Sequence, residues 1–211
     1  MKLFSKLARK IRLRKDLKRV KMDPTYIRYV EEQTPKLCLE AVIRDGSVLQ
    51  YIKEQTPEIC LEAVRENGLA LEYVEEQTKK ICSYAVTENG NALKYVKEQT
   101  PEICLEAVVD NGYALNYVKE QKEDICYYAM SENAFLLHKV KEQTPKICLA
   151  AVESNGMALM YVKEQTPEIC LAAVEEDPDA IQLVKIKVPE ILEIDGIPED
   201  LYNEYKEFLE R

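Results

Sequence analysis

The residues best equipped for chemistry are seven cysteines, at Cys38, Cys60, Cys82, Cys104, Cys126, Cys148 and Cys170, and every interval between them is 22 residues. A thiol can act as nucleophile, metal ligand or disulfide partner, and each role sets a geometry. Equivalent helices of neighbouring repeats pack about 8–10 Å apart, whereas a disulfide needs Cα atoms within about 7 Å. Consecutive cysteines are therefore too far apart to bridge, and no Cys-x-x-Cys pair occurs to hold zinc. A setting such as Ile59-Cys60-Leu61 suits a small buried hydrophobe. Reduced thiols in this number point to the cytoplasm or another reducing compartment.

Other reactive groups are sparse or too regular. His138 is the only histidine, which leaves little room for histidine base catalysis or a histidine metal site. Glu32, Glu54, Glu76, Glu98, Glu120, Glu142 and Glu164 also recur at 22-residue steps. Paired carboxylates can perform acid/base work, but carboxylates repeated in every unit form a surface pattern. No catalytic, cofactor or metal residues are expected, and no small-molecule substrate is evident.

The elements that hold these residues follow from the same ruler. Full units run over 35–56, 57–78, 79–100, 101–122, 123–144, 145–166 and 167–188, with a half unit at 24–34 and a degenerate start after Pro189. Thr-Pro steps such as Thr56-Pro57 place a capping hydroxyl before a proline at the first helical position. Ile, Cys, Ala and Val then fall on one helical face. Asn-Gly pairs such as Asn67-Gly68 stop this helix, the glycine taking the left-handed C′ position. A second short helix follows, with Ala70, Leu71, Tyr73 and Val74 as its stripe. One hairpin cannot bury its apolar face, so neighbours must stack. The expected fold is all-α: an α-solenoid of seven 22-residue helix-turn-helix repeats with capping helices at both ends. The tail at 195–211 reads as the C-terminal cap, burying Leu201, Tyr205, Phe208 and Leu209.

The units PEICLEAVRENGLALEYVEEQT (57–78) and PEICLEAVVDNGYALNYVKEQT (101–122) resemble the short helical repeats of domain-of-unknown-function family 4116, known from giant viruses, phages and bacteria. The resemblance spans roughly residues 24–190. It implies an all-α repeat fold and no established chemistry, so it transfers no site residues.

Of the 211 residues, 46% are hydrophobic, enough for a sizeable core and too many for a disordered polyelectrolyte. No run approaches the roughly 20 apolar residues of a membrane span. The net charge of −9 conceals a division. Residues 1–22 carry ten basic side chains and only Asp16 as an acid, so the arm is +9 and residues 23–211 are −18. Its cations include Lys6, Arg9, Lys10, Arg12, Arg14, Lys15, Lys18 and Arg19. Leu3, Phe4, Leu7, Ala8 and Ile11 share one side of a helical wheel, while Leu13, Leu17 and Val20 lie nearly opposite. That jump predicts two helical pieces or a bend near Arg12. Such an arm can cap the first repeat, bind nucleic-acid phosphates, or lie on anionic lipid with Phe4 and the leucines inserted.

Tyr29, Tyr51, Tyr73, Tyr95, Tyr117 and Tyr161 form a second ladder, expected to pack as core with hydroxyls reaching the surface. Gln33, Gln55, Gln77, Gln99, Gln121, Gln143 and Gln165 are expected to form a hydrogen-bonded ladder. Units 79–100 and 123–144 depart together from the common pattern, introducing Tyr84 in one and Tyr127, Tyr128, Phe135 and His138 in the other. These five residues are the candidate partner-binding patch, since tyrosine is favoured at interface hot spots. The composition points to a non-enzymatic scaffold that binds another protein through an extended acidic surface. Two alternatives are an inhibitor whose acidic body mimics a polyanion, and a tether whose basic arm binds nucleic acid or anionic membrane. The domain reading is an arm at 1–22, a repeat array at 23–194 and a capping helix at 195–211.

Overall fold

Threonine hydroxyls start the helices. In the computed structural model, which describes residues 2–211 and side chains from residue 6 onward, Thr34, Thr56, Thr78, Thr144 and Thr166 have extended backbones. Their hydroxyls accept from the N–H three residues on. Proline follows in all but Thr78, where Lys79 opens the helix under the same cap. Lys122 has no hydroxyl, and its helix begins without a side-chain cap bond. The helices so started are α2 (Pro35–Val42), α3 (Pro57–Glu66), α4 (Lys79–Glu88) and α5 (Pro101–Asp110), then α6 (Glu123–Glu132), α7 (Pro145–Ser154) and α8 (Pro167–Glu176). Each buries the expected face, as Ile59, Cys60, Ala63 and Val64 do in α3.

In most repeats one asparagine ends the helix and begins the next element, and Asp177 does the same after α8. The Asn67 backbone N–H donates to the Ala63 carbonyl, closing α3, while its side-chain oxygen accepts from the Leu69 N–H. The segment it opens, Gly68–Tyr73, is a 3₁₀ helix and not the second α-helix that the repeat pattern suggests. Its bonds span three residues, from Ala70 N–H to Asn67 and from Val74 N–H to Leu71. The reason lies in length: six residues held between an extended asparagine and an extended valine complete two turns at about three residues each. Leu71 and Val74, three apart, then face the core together.

The glycine after the asparagine also differs from expectation. Gly196 alone has positive φ among the described residues, so the repeat glycines are not left-handed caps. They are sites of close approach. A Cβ on Gly68 would lie 2.4 Å from the Ala85 carbonyl oxygen of the next repeat, and one on Gly156 would lie 2.3 Å from that of Ala173. The glycine N–H is taken by an acid of the following helix: Gly90 donates to Asp110 at 2.7 Å, and Gly46 and Gly156 donate to Glu66 and Glu176.

The chain forms two compact units, Met1–Asp110 and Asn111–Arg211. The first contains α1 (Lys2–Met22), α2–α5 and the 3₁₀ segments Pro24–Tyr29, Gly46–Tyr51, Gly68–Tyr73 and Gly90–Tyr95. Consecutive α-helices pack on one another, and so do consecutive 3₁₀ segments. The second unit repeats this with α6–α8 and Gly112–Tyr117, Ala134–Lys139, Gly156–Tyr161 and Pro178–Leu183. It closes with Pro189–Glu193 and α9 (Glu199–Glu210). The described residues are all-helical, with no strand, and form a helical repeat. In α9, Tyr205 is buried while Leu201, Phe208 and Leu209 are half-buried. The Tyr205 hydroxyl accepts from Val188 N–H at 3.0 Å and donates to the Ile186 carbonyl at 3.1 Å.

The arm is one continuous helix, without the expected break near Arg12. It holds no proline or glycine to interrupt its hydrogen bonds, so its two apolar stripes meet different surroundings. Val20 is fully buried and Leu13 and Leu17 are half-buried, on the side that packs against α2 and Pro24–Tyr29. Leu7 and Ile11 are 55% and 47% exposed. Leu3 and Phe4 lie outside the residues whose side chains are described.

Gly68→Ala places a methyl group against a backbone carbonyl that cannot rotate away. Urea unfolding should show a loss of about 1–3 kcal/mol, whereas Leu69→Ala at the next, half-buried position should cost less.

Candidate interaction surface

Within each unit, a glutamine side chain joins one repeat to the next. Gln33 Nε2 donates to the Tyr51 carbonyl at 2.8 Å, and its Oε1 accepts from Lys53 N–H at 2.9 Å. Gln55 makes the same pair of bonds to Tyr73 and Glu75, and Gln77 to Tyr95 and Lys97. In the second unit Gln121 grips Lys139 and Lys141, Gln143 grips Tyr161 and Lys163, and Gln165 grips Leu183 and Lys185. The expected ladder is therefore a series of amide-to-backbone clamps. Each clamp meets a backbone carbonyl that ends a 3₁₀ helix and would otherwise lack a partner.

In most repeats the clamped carbonyl belongs to the ladder tyrosine, so the clamp sets where that ring stands. The rings are not core. Tyr29 is 64% and Tyr117 37% exposed, and Tyr51, Tyr73, Tyr95 and Tyr161 are half-buried. Tyrosine is the last residue of its 3₁₀ segment, beyond the Ala and Leu positions that reach the core. In the first unit the rings adjoin: Arg28 lies 4.7 Å from the Tyr29 ring centroid and 5.9 Å from that of Tyr51. Partial burial pushes the Tyr73 hydroxyl's pKa up, with Glu72 and the neighbouring Tyr95 and Tyr51 hydroxyls adding to it.

The glutamate row is exposed, with Glu54, Glu76 and Glu98 in the first unit and Glu120, Glu142 and Glu164 in the second. The lysine before it does not neutralise it. Lys97 Nζ reaches back to the Glu75 carbonyl at 2.7 Å, and Lys163 Nζ to the Lys141 carbonyl at 2.9 Å. Glu32 differs because Arg9 and Arg12 hydrogen-bond to it, and Arg9 above all holds its carboxyl below the usual range.

All seven cysteines are free and buried. Burial pushes the thiols of Cys38, Cys126 and Cys170 up to about 11. The Cys60 thiol donates to the clamp oxygen of Gln55 at 3.4 Å. Among the described residues, no three of His, Cys, Asp and Glu gather as a metal site would require.

The sequence profile of a domain of unknown function, DUF4116, matches residues 34–79 and again residues 56–100. The second match starts one repeat length after the first. Residues 34–100 are thus similar to two overlapping copies of this domain. No curated protein and no solved structure matches the chain.

The candidate patch residues divide between the two units. Tyr84, on the third helix of the DUF4116-matched stretch, is 39% exposed and lies under Arg65, 4.7 Å from the ring centroid. Hydrogen bonding to that guanidinium, and then its charge, lowers the Tyr84 hydroxyl's pKa. In the second unit Tyr127 and Tyr128 stand edge to face at 5.9 Å, with Lys146 5.1 Å from the Tyr127 centroid. Phe135 and His138 instead contact Tyr161, at 6.1 and 5.3 Å. His138 Nδ1 donates to the Phe135 carbonyl at 2.6 Å. Asn116 and Gln182 occupy the same repeat slot and make the same bond to Tyr113 and Asp179. That bond is therefore a feature of the repeat and not of histidine chemistry. Tyr113, 56% exposed, was not singled out by sequence reasoning, although it precedes Phe135 by one repeat.

The arm's cations fall into two sets. Arg12 pairs with Glu31 and Glu32 at 3.1 Å, and Arg19 donates to the Tyr26 hydroxyl at 2.6 Å. Lys6, Lys10, Arg14, Lys15 and Lys18 pair with no acid among the described residues.

Gln55→Ala leaves two backbone groups without their partners and should lower stability by about 1–3 kcal/mol in urea. Gln55→Glu should cost more near neutral pH, since a carboxylate cannot donate to the Tyr73 carbonyl. The thiols should resist iodoacetamide at pH 8 until the chain is unfolded. Because folded thiols hold their protons beyond the ordinary 9.0, their stabilising effect is intact below pH 9. It should fade between 9 and about 11, seen as an alkaline fall in Tm.

Proposed function

We propose that this chain is a non-enzymatic scaffold that binds another protein through an extended repeat surface. The observation that carries this is the row of partly exposed tyrosines, held in register by the glutamine clamps beside an exposed glutamate row. Tyrosine combines a large apolar face with a polar tip and is enriched at interface hot spots, and stacked repeats offer long surfaces for such contacts. The finer architecture in this proposal is an α-solenoid of seven repeats over 35–188, with α1 as the N-terminal cap and α9 as the C-terminal one. The ion pairs of Arg9 and Arg12 with Glu31 and Glu32 support the first of these roles. The proposed partner surface also takes in Tyr84 in the first unit and Tyr127, Tyr128, Phe135 and His138 in the second. A reducing compartment suits the buried thiols.

The exposed glutamates favour a second reading, in which the body imitates a polyanion and occupies a cationic groove of a nucleic-acid-handling protein.

A triple variant, Y51A/Y73A/Y95A, should keep its helical circular dichroism and lose the partner that the unaltered chain captures from host extract. Retained capture would refute the tyrosine surface. Capture that falls steeply with salt, and follows Glu76→Gln and Glu98→Gln instead, would move the contact to the acidic row.

A further inference from the structure

Three junctions between consecutive helices of the first unit carry a groove beside a capping threonine, and these grooves are not alike. The one near Thr78 is about 140 Å³ and is lined by Glu75 and Glu76. The one near Thr100 is about 230 Å³ and carries Lys79, Lys97 and Glu98. At the first junction α1 stands where a repeat helix would, and the groove beside Thr34 is about 510 Å³. Leu13, Leu17 and Leu37 form its apolar floor. Lys6, Lys10, Arg14 and Lys36 form its rim, with Arg9 already engaged by Glu32. No acid lines it, and none of those four cations has an acidic partner among the described residues. Lys36 stands in the slot that holds Glu58, Glu102, Asp124 and Glu168 in four units, and Lys80 and Lys146 in two others. It puts a cation in the first turn of a helix, where the dipole favours an anion.

We infer that this groove binds a free anionic amphiphile, a single hydrocarbon chain ending in a carboxylate or phosphate group. The size lies within the roughly 300–1,000 Å³ of small-molecule sites. Three leucines match a chain, and four unpaired cations at the mouth match an anionic head. A nucleic acid would leave the leucine floor empty, and among the described residues no aromatic ring lines the groove for a base to stack on. This site is independent of the tyrosine surface, so either assignment can fail alone.

The test uses the full chain with dodecyl phosphate below its micelle concentration, read by calorimetry and by displacement of anilinonaphthalene sulfonate. Saturable 1:1 binding is expected. K10E/R14E should weaken it at least about tenfold, equivalent to about 1.4 kcal/mol, with helical content unchanged. Lys36→Glu, a residue this slot already accepts at Glu58, Glu102 and Glu168, should weaken it too and guards against a folding defect in the first variant. K15E/K18E changes the net charge equally on the same helix but outside the groove, and should leave binding intact. Equal weakening by K15E/K18E would overturn the assignment, as would equal competition by dodecyltrimethylammonium or by inorganic phosphate. Two further results would overturn it: co-sedimentation with phosphatidylglycerol vesicles without uptake of dodecyl phosphate, or self-association lost in K10E/R14E without such uptake.

Discussion

A carboxamide can donate and accept in one plane over a short span without carrying charge, and the repeat depends on that property. Each clamp glutamine donates to the carbonyl 18 residues ahead and accepts from the N–H 20 residues ahead. Those two backbone groups flank the valine or isoleucine that leaves the 3₁₀ helix, so one amide fixes both the end of that helix and the start of the next linker. The distance between helices, the half-exposed stance of the tyrosines and the backward reach of Lys97 and Lys163 all follow from this contact. Neither aspartate nor glutamate can replace it, because a carboxylate offers no donor.

Packing around the clamp explains the rest of the composition. Each of α2–α8 buries Ala and Val, or Met130 in place of Val in α6, at zero exposure beside Ile or Leu and Cys. The sulfur is small, polarisable and able to donate weakly to the clamp oxygen, as Cys60 does to Gln55. At Gly46, Gly90 and Gly156 the glycine N–H is satisfied by an acid one repeat on, and no buried side-chain polar atom lacks a partner among the described residues. A repeat of short helices is stable only when every such junction is made. That is why changes gather at slots outside the core such as those of Tyr113 and Phe135, and not at the clamp.

Much of the fold was legible from spacing. The Thr-Pro starts, the buried Ile, Cys, Ala and Val face and the role of asparagine as punctuation all came from chemistry local to each unit. The 3₁₀ segments escaped because their i, i+1, i+3, i+4 stripe suits an α-helix equally well, and only the two extended caps decide between them. The glycine was misassigned because a left-handed cap and a close approach leave the same letter in the sequence. The tyrosine row was placed in the core by its periodicity. It lies nearer the surface, at the last position of each 3₁₀ segment and beyond the buried Ala and Leu. The unbroken arm was missed because opposed apolar stripes suggest a bend until one of them is seen to remain exposed.

The sequence by itself determined the repeat length, the all-helical character, the start of nearly every helix and the separation of a +9 arm from a −18 body. These depend on residues a few positions apart or on simple charge. Only the tertiary structure decided what each glutamine bonds to, why the glycine must lack a side chain, and which of the arm's cations are left without an acid. Each of these is a relation between residues about 20 positions apart in sequence that become neighbours only when the repeats stack, and local pattern carries no record of that approach.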